Sequence, residues 1–197
     1  MLEHPSLDHD GWTLIRRSHG RKRLRLGTMS RGTYHRGMRA PFRVLFICTA
    51  NACRSQMAEA VLRHLGGQRF LAASAGICPM GQIHPLAMEA LRRRGLSFAG
   101  QSSKSFEDLL EVEQDIIITV CDAAACVIPP RWAGNPIVVH WGLPDPVTTP
   151  GTLAEKHALA DTTVDTLVRW IGRLIELRLE DLSRTELERE LNTIPRL

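Results

Sequence analysis

Two short, unbroken apolar runs constrain this chain more than anything else in it. Val44-Leu45-Phe46-Ile47 and Ile116-Ile117-Ile118-Thr119-Val120 are rich in strand formers and lack the polar alternation of a half-exposed strand. The first reads as a strand buried on both faces, and the second is the clearest strand in the chain. Phe70–Ala75 and Ile137–His140 read as two further strands. Helical periods lie between and after them. Met57, Val61, Leu62 and Leu65 share one face, with Gly66-Gly67 as the stop. Pro85–Arg94 carries Leu86, Ala90 and Leu91, and Gly95 ends it. From Leu153 a long period through Leu159, Val164, Leu167, Trp170, Ile171 and Leu174 runs to about Leu182, with a break expected around Leu177–Leu182. Ser183-Arg184-Thr185-Glu186 is a capping box that opens a last helix through Leu191. Strands alternating with helices predict an α/β fold, with a parallel sheet covered on both faces.

The basic balance of the chain is local. Nine of the 25 Lys/Arg but only three of the 21 Asp/Glu lie in residues 1–40, leaving 16 basic and 18 acidic residues for 41–197. The positive charge therefore belongs to an N-terminal segment with neither a helical nor a strand period, which predicts an unstructured basic leader (1–40) ahead of a single domain (41–197). Met29 and Met38 stand as alternative starts within it. A basic stripe can touch nucleic acid or anionic lipid, but the missing period assigns neither partner here. No apolar run approaches the roughly 18 residues of a membrane span, and the N-terminus lacks the apolar core of a secretion signal. Five cysteines, an odd number, point to thiol chemistry in a reducing, cytoplasmic compartment rather than to a disulfide framework. Cys48/Cys53 and Cys121/Cys126 are each five apart, which does not resemble zinc spacing.

The first apolar run feeds Cys48-Thr49-Ala50-Asn51-Ala52-Cys53-Arg54-Ser55 and then a helix. In an open parallel sheet, ligands bind beyond the carboxyl ends of the strands. A loop wrapped at a helix N-terminus aims several backbone N–H groups at one point, where the helix dipole adds positive potential. An anionic sulfur at Cys48 is stabilised there as a nucleophile. Arg54 offers a planar two-toothed grip on a tetrahedral oxyanion. The Ser55 hydroxyl can donate to the thiolate, and Asn51 suits a left-handed position. Asp145, in Pro144-Asp145-Pro146 after the last strand, could reach over the sulfur as a general acid or could only shape the turn beside proline.

Val44-Leu45-Phe46-Ile47-Cys48 through Gln56-Met57-Ala58-Glu59-Ala60 resembles the low-molecular-weight tyrosine phosphatase superfamily, and more narrowly the arsenate reductases that share its fold. The likeness continues through Ser74-Ala75-Gly76, His84-Pro85-Leu86-Ala87, Gln101-Ser102-Ser103-Lys104-Ser105, Val120-Cys121-Asp122 and His140-Trp141-Gly142-Leu143-Pro144-Asp145-Pro146. It implies a four-stranded parallel sheet flanked by helices, with Thr49, Ala50, Asn51, Ala52, Cys53 and Arg54 forming the oxyanion loop and Asp145 the acid. It further implies reduction of arsenate to arsenite in arsenic detoxification: Cys48 attacks arsenate, Cys121 attacks the Cys48 sulfur, and Cys126 then takes over the disulfide. The electrons would come from thioredoxin, or from glutaredoxin and glutathione, with no tightly bound cofactor, no metal and a monomeric enzyme. In some relatives, residues corresponding to Asn51, Glu59 and Ser74 hold a structural cation; none is assigned here.

The alternative on the same loop is a phosphatase that hydrolyses phosphomonoesters through a phosphocysteine. Such phosphatases usually carry aromatic residues after the Asp-Pro pair, where this chain has Val147-Thr148-Thr149, and more often proline where it has Gln56. Two positions depart from the family pattern. Ala50 stands where glycine is common. The resolving pair is closer than usual, and if Asp122-Ala123-Ala124-Ala125 winds as a helix, Cys121 and Cys126 lie too far apart to bond. Cys53 reads as a packed small hydrophobe, Cys78 as a passive loop thiol, and His84 as a helix-start residue. His140 and Trp141 read as pocket wall, with the core an equal alternative for Trp141.

Overall fold

A computed structural model describes residues 40–127 and 131–196; the predicted leader, apart from Ala40, lies outside them. Four strands form one parallel sheet: β1 (Phe42–Cys48), β2 (Phe70–Gly76), β3 (Ile116–Thr119) and β4 (Ile137–His140), in the order β2-β1-β3-β4. The run that reads as doubly buried and the clearest strand, β1 and β3, are the central pair. Val44, Leu45, Phe46, Ile117 and Ile118 are inaccessible to solvent. On the edge strand β4, burial alternates, with Ile137 and Val139 inside and Val138 and His140 outside. Each strand ends within a residue or two of its expected position.

The helices are α1 (Arg54–Leu65), α2 (Pro85–Arg93), α3 (Asp122–Val127), α4 (Leu153–Glu176) and α5 (Arg184–Thr193). The left-handed residue after α1 is Gly67 (φ 54°), and after α2 it is Gly95 (φ 66°), the conformation that glycine adopts without a steric penalty. The capping box at Ser183–Glu186 closes in both directions. So does one at Thr152–Glu155 that opens α4. The long period breaks after Glu176, and a 3-10 turn at Leu179–Asp181 bridges to α5. Both α1 and α2 pack on α4, while α5 packs on β4.

Trp141, directly after β4, is fully buried. Its Nε1 donates to the Leu191 carbonyl of α5 at 3.0 Å, and its ring meets Trp170 of α4 edge-on at 5.9 Å. One side chain therefore joins the sheet to two helices. Trp141→Ala is expected to cost about 3–5 kcal/mol through the cavity and the orphaned carbonyl, measured by urea denaturation. A loss below about 1 kcal/mol would mean that these elements do not depend on it.

Chain order sets where ligands go. From β1 the chain crosses to β2 on one side, then returns past β1 to β3 and on to β4 on the other. The reversal opens a crevice at the carboxyl ends of β1 and β3, where ligands bind in folds of this type.

Candidate active site

Residues 49–53 leave β1 and wrap the N-terminus of α1. Their carbonyls, with that of Cys48, all turn outward to named donors. Ile77 N donates to Cys48 O (3.2 Å), Cys78 N to Thr49 O (2.9 Å), and Met80 N to Ala50 O (3.0 Å). His84 N donates to Ala52 O (2.8 Å) and Met57 N to Cys53 O (2.9 Å). Gln56 Nε2 donates to Asn51 O (3.1 Å). In a trans peptide the next N–H points opposite to the carbonyl, so the amides of residues 49–54 turn toward the concave side. The Asn51 amide donates to Cys48 Sγ at 3.2 Å.

The loop conformation explains two of its residues. Asn51 adopts φ 45°, as its residue type allows. Ala50 does not have a positive φ, so its β-carbon imposes no backbone strain. Gly76, at the end of β2, is required by close packing. A Cβ there would lie 2.8 Å from Asn51 Cβ, Asn51 N and Thr49 O. The sequence signal for this was a glycine ending a strand, which often marks close backbone approach.

A directed hydrogen-bond chain supports the sulfur. Both Asn51 Nδ2 protons are used, on Ser55 Oγ (2.8 Å) and Ser74 Oγ (2.9 Å). Ser74 Oγ donates onward to Glu59 Oε2 (2.6 Å). Ser55 Oγ accepts from Asn51, so its own proton is free for Cys48 Sγ, 3.0 Å away. Cys48 itself is only 2% exposed. Asn51, Glu59 and Ser74 together form this relay. Gln56 has a structural part here that its residue type alone does not reveal. With both Nε2 protons it ties the loop to the Ser102 carbonyl as well.

Arg54 is buried at the first position of α1. Its NH1 donates to Leu143 O (3.0 Å) and its NH2 to Asp145 Oδ2 (2.7 Å), leaving three of the five N–H donors of a guanidinium. Asp145 Oδ1 caps its own turn by accepting from Val147 N (2.9 Å). The structure thus joins Cys48, Arg54 and Asp145 around one small cavity of about 60 Å³, whose remaining wall includes Met80, His84 and Val147. Cys53 also borders it. Burial, with the negative charges of Asp145 and Cys48 adding to it and Arg54 opposing, pushes this thiol up to about 12. It stays protonated beside Cys48, in keeping with a packed small side chain.

Cys121 follows β3 and is 4% exposed. Its Sγ lies 3.4 Å from Thr49 Oγ1, the residue next to Cys48. Cys126 is exposed. The segment between them is helical as α3. Five residues of helix put the two Cα atoms roughly 8–9 Å apart, beyond the ~7 Å limit for a disulfide. The pair closes only if α3 unwinds. Cys78 is an exposed loop thiol.

His140 and Trp141 do not wall the pocket. His140 pairs with Thr119 Oγ1 (2.8 Å) and Asp122 Oδ1 (3.1 Å) beside the start of α3, and Trp141 is core. His140 ends the edge strand β4 and Trp141 follows it, and neither lines the cavity. Among the described residues no cluster of three or more His, Cys, Asp or Glu side chains could hold a metal ion, and no helix is long and apolar enough to cross a membrane.

Residues 43–182 match the model of the low molecular weight phosphotyrosine protein phosphatase family. The chain belongs to that family. Within it, the chain is 37% identical to an arsenate reductase of Halalkalibacterium halodurans over 59% of this chain and 82% of that one. It is 33% identical to a glutaredoxin arsenate reductase of Synechocystis over 53% of this chain and 78% of that one. A solved structure of an arsenate reductase in the phosphate binding state superposes with a TM-score of 0.57 at 28% identity, covering 68% of this chain and 97% of the other. The phosphatase-family loop thus occurs here in a chain similar to arsenate reductases by sequence and by fold.

Proposed function

We propose that this phosphatase-family enzyme reduces arsenate to arsenite. The observation that carries the reading is the buried thiol of Cys121, held against Thr49 of the oxyanion loop. A hydrolase acting through Cys48 alone has no use for a second thiol there. The loop amides and Arg54 bind the tetrahedral anion, and the thiolate of Cys48, supported by Ser55 and the Asn51 amide, attacks arsenic. One oxygen leaves as water, with its proton supplied from Asp145 on the rim. Cys121 then attacks the Cys48 sulfur. The S–As bond breaks with its electron pair on arsenic, so As(V) becomes As(III) and two thiols become one disulfide.

Cys126 can take over this disulfide once α3 unwinds, presenting it to a thioredoxin-type reductant. Glutaredoxin with glutathione is the other source of electrons. Both belong to a reducing cytoplasm, where we place the enzyme. The phosphatase alternative is less well served. Besides Asp145, the cavity wall carries Met80, His84 and Val147, and among the described residues no Phe, Tyr or Trp lines it to sandwich a phosphotyrosine ring.

Mass spectrometry of alkylated protein after a single turnover tests the scheme. A Cys48–Cys121 or Cys121–Cys126 linked peptide is expected only when arsenate is present. Free thiols throughout, with arsenate left unreduced, would end the reductase reading.

A further inference from the structure

His84 stands outside the scheme above, yet three constraints converge on it. Its backbone N–H donates to Ala52 O (2.8 Å), which fixes it to the oxyanion loop. Its Nδ1 accepts from the Leu86 N–H (3.2 Å), making it the N-cap of α2 ahead of Pro85. The residue lines the same cavity as Cys48 and Arg54. A neutral imidazole whose Nδ1 is an acceptor carries its proton on Nε2. The cap therefore leaves one defined donor on this ring.

A tetrahedral anion attacked by Cys48 has one oxygen opposite the sulfur, facing the outer rim. That rim has few polar groups. Met80 and Val147 are apolar, which leaves Asp145, held by Arg54 and the Val147 amide, as the acid for that leaving oxygen and His84 as the second polar group beside it. We propose that His84 is a further substrate-contact residue, whose Nε2–H donates to the outer oxygen of the bound oxyanion. A neutral donor suits this place because it stabilises the anion without competing with Arg54 for Asp145. This inference rests on the oxyanion-thiol reading of the site and adds a residue to it.

Capping and substrate contact are separable by substitution. His84→Asn keeps an acceptor for the Leu86 amide, since asparagine is a strong N-cap, but removes the ring Nε2–H. His84→Gln keeps an N–H at longer reach and gives up the ring acceptor. The probe is inorganic phosphate, titrated by calorimetry on the full chain, alongside arsenate kinetics and thermal unfolding. Losing a hydrogen bond to a charged ligand weakens binding about tenfold to a hundredfold. His84→Asn is expected to weaken phosphate binding and raise the arsenate KM by that range while leaving Tm nearly unchanged. His84→Gln is expected to recover part of the phosphate affinity at a lower Tm.

Phosphate affinity within twofold of wild type in a stably folded His84→Asn would overturn the contact. So would affinity losses that track Tm across the two variants. Wild-type protein that binds phosphate but leaves arsenate unreduced removes the reductase reading alone, because the phosphate titration still decides His84.

Discussion

Cys48→Ser is expected to reduce arsenate turnover by on the order of 10⁴-fold or more, the scale of removing a nucleophile from a preorganised site. The folded protein should otherwise be intact. Serine is nearly isosteric, and its oxygen can still accept from the Asn51 amide and meet Ser55 Oγ, which contact the sulfur at 3.2 and 3.0 Å. The anion clamp of loop amides and Arg54 does not involve the sulfur directly. Phosphate should therefore bind the variant within a few fold of wild type, with Tm little changed. The loss is chemical, since a serine hydroxyl is not ionised at neutral pH and oxygen cannot enter a disulfide. Arsenite release and phosphate titration measure the two halves separately. Residual turnover above about one per cent would place the nucleophile elsewhere.

Cys121→Ser should divide the two chemistries this loop can support. Cys121 contacts the loop through Thr49 Oγ1 and does not line the cavity. An aryl phosphate that enters, forms a phosphocysteine and is hydrolysed by water has no need of it. Hydrolysis of such an ester is expected to stay within a few fold of wild type, whereas multiple-turnover arsenate reduction falls by about 10³-fold or more, because the Cys48 adduct loses the thiol that resolves it. Paired steady-state assays on one preparation give the ratio directly. Undiminished arsenate turnover in the variant would remove Cys121 from the relay. Equal loss of both activities would mean that its contact with Thr49 shapes the loop.

Much of the site was legible because its parts are local. Cys48 to Ser55 form one loop at one helix N-terminus, and the Asn51 conformation and the Ser183 box follow from residues a few positions away. Cys53 and His84 also carried local signals, a small side chain inside a tight loop and a residue before a helix-opening proline. His84 gave no sign of bordering the cavity, because that depends on its backbone reaching across to Ala52. Whether Trp141 is pocket wall or core is open in the sequence for a similar reason. Its neighbours in sequence lead toward Asp145, but its ring is claimed by Trp170 and the Leu191 carbonyl, 29 and 50 residues further on.

What the amino-acid order determined alone were the strands, the helices, their caps and the chemical character of the loop, all governed by interactions within a turn or two of chain. Tertiary structure alone decided that β3 lies beside β1, so that Cys121 meets Thr49 across 72 residues and Arg54 meets Asp145 across 91. Strand order and such distant partners arise when whole elements compete to bury their apolar faces. No local pattern records which of them will end as neighbours.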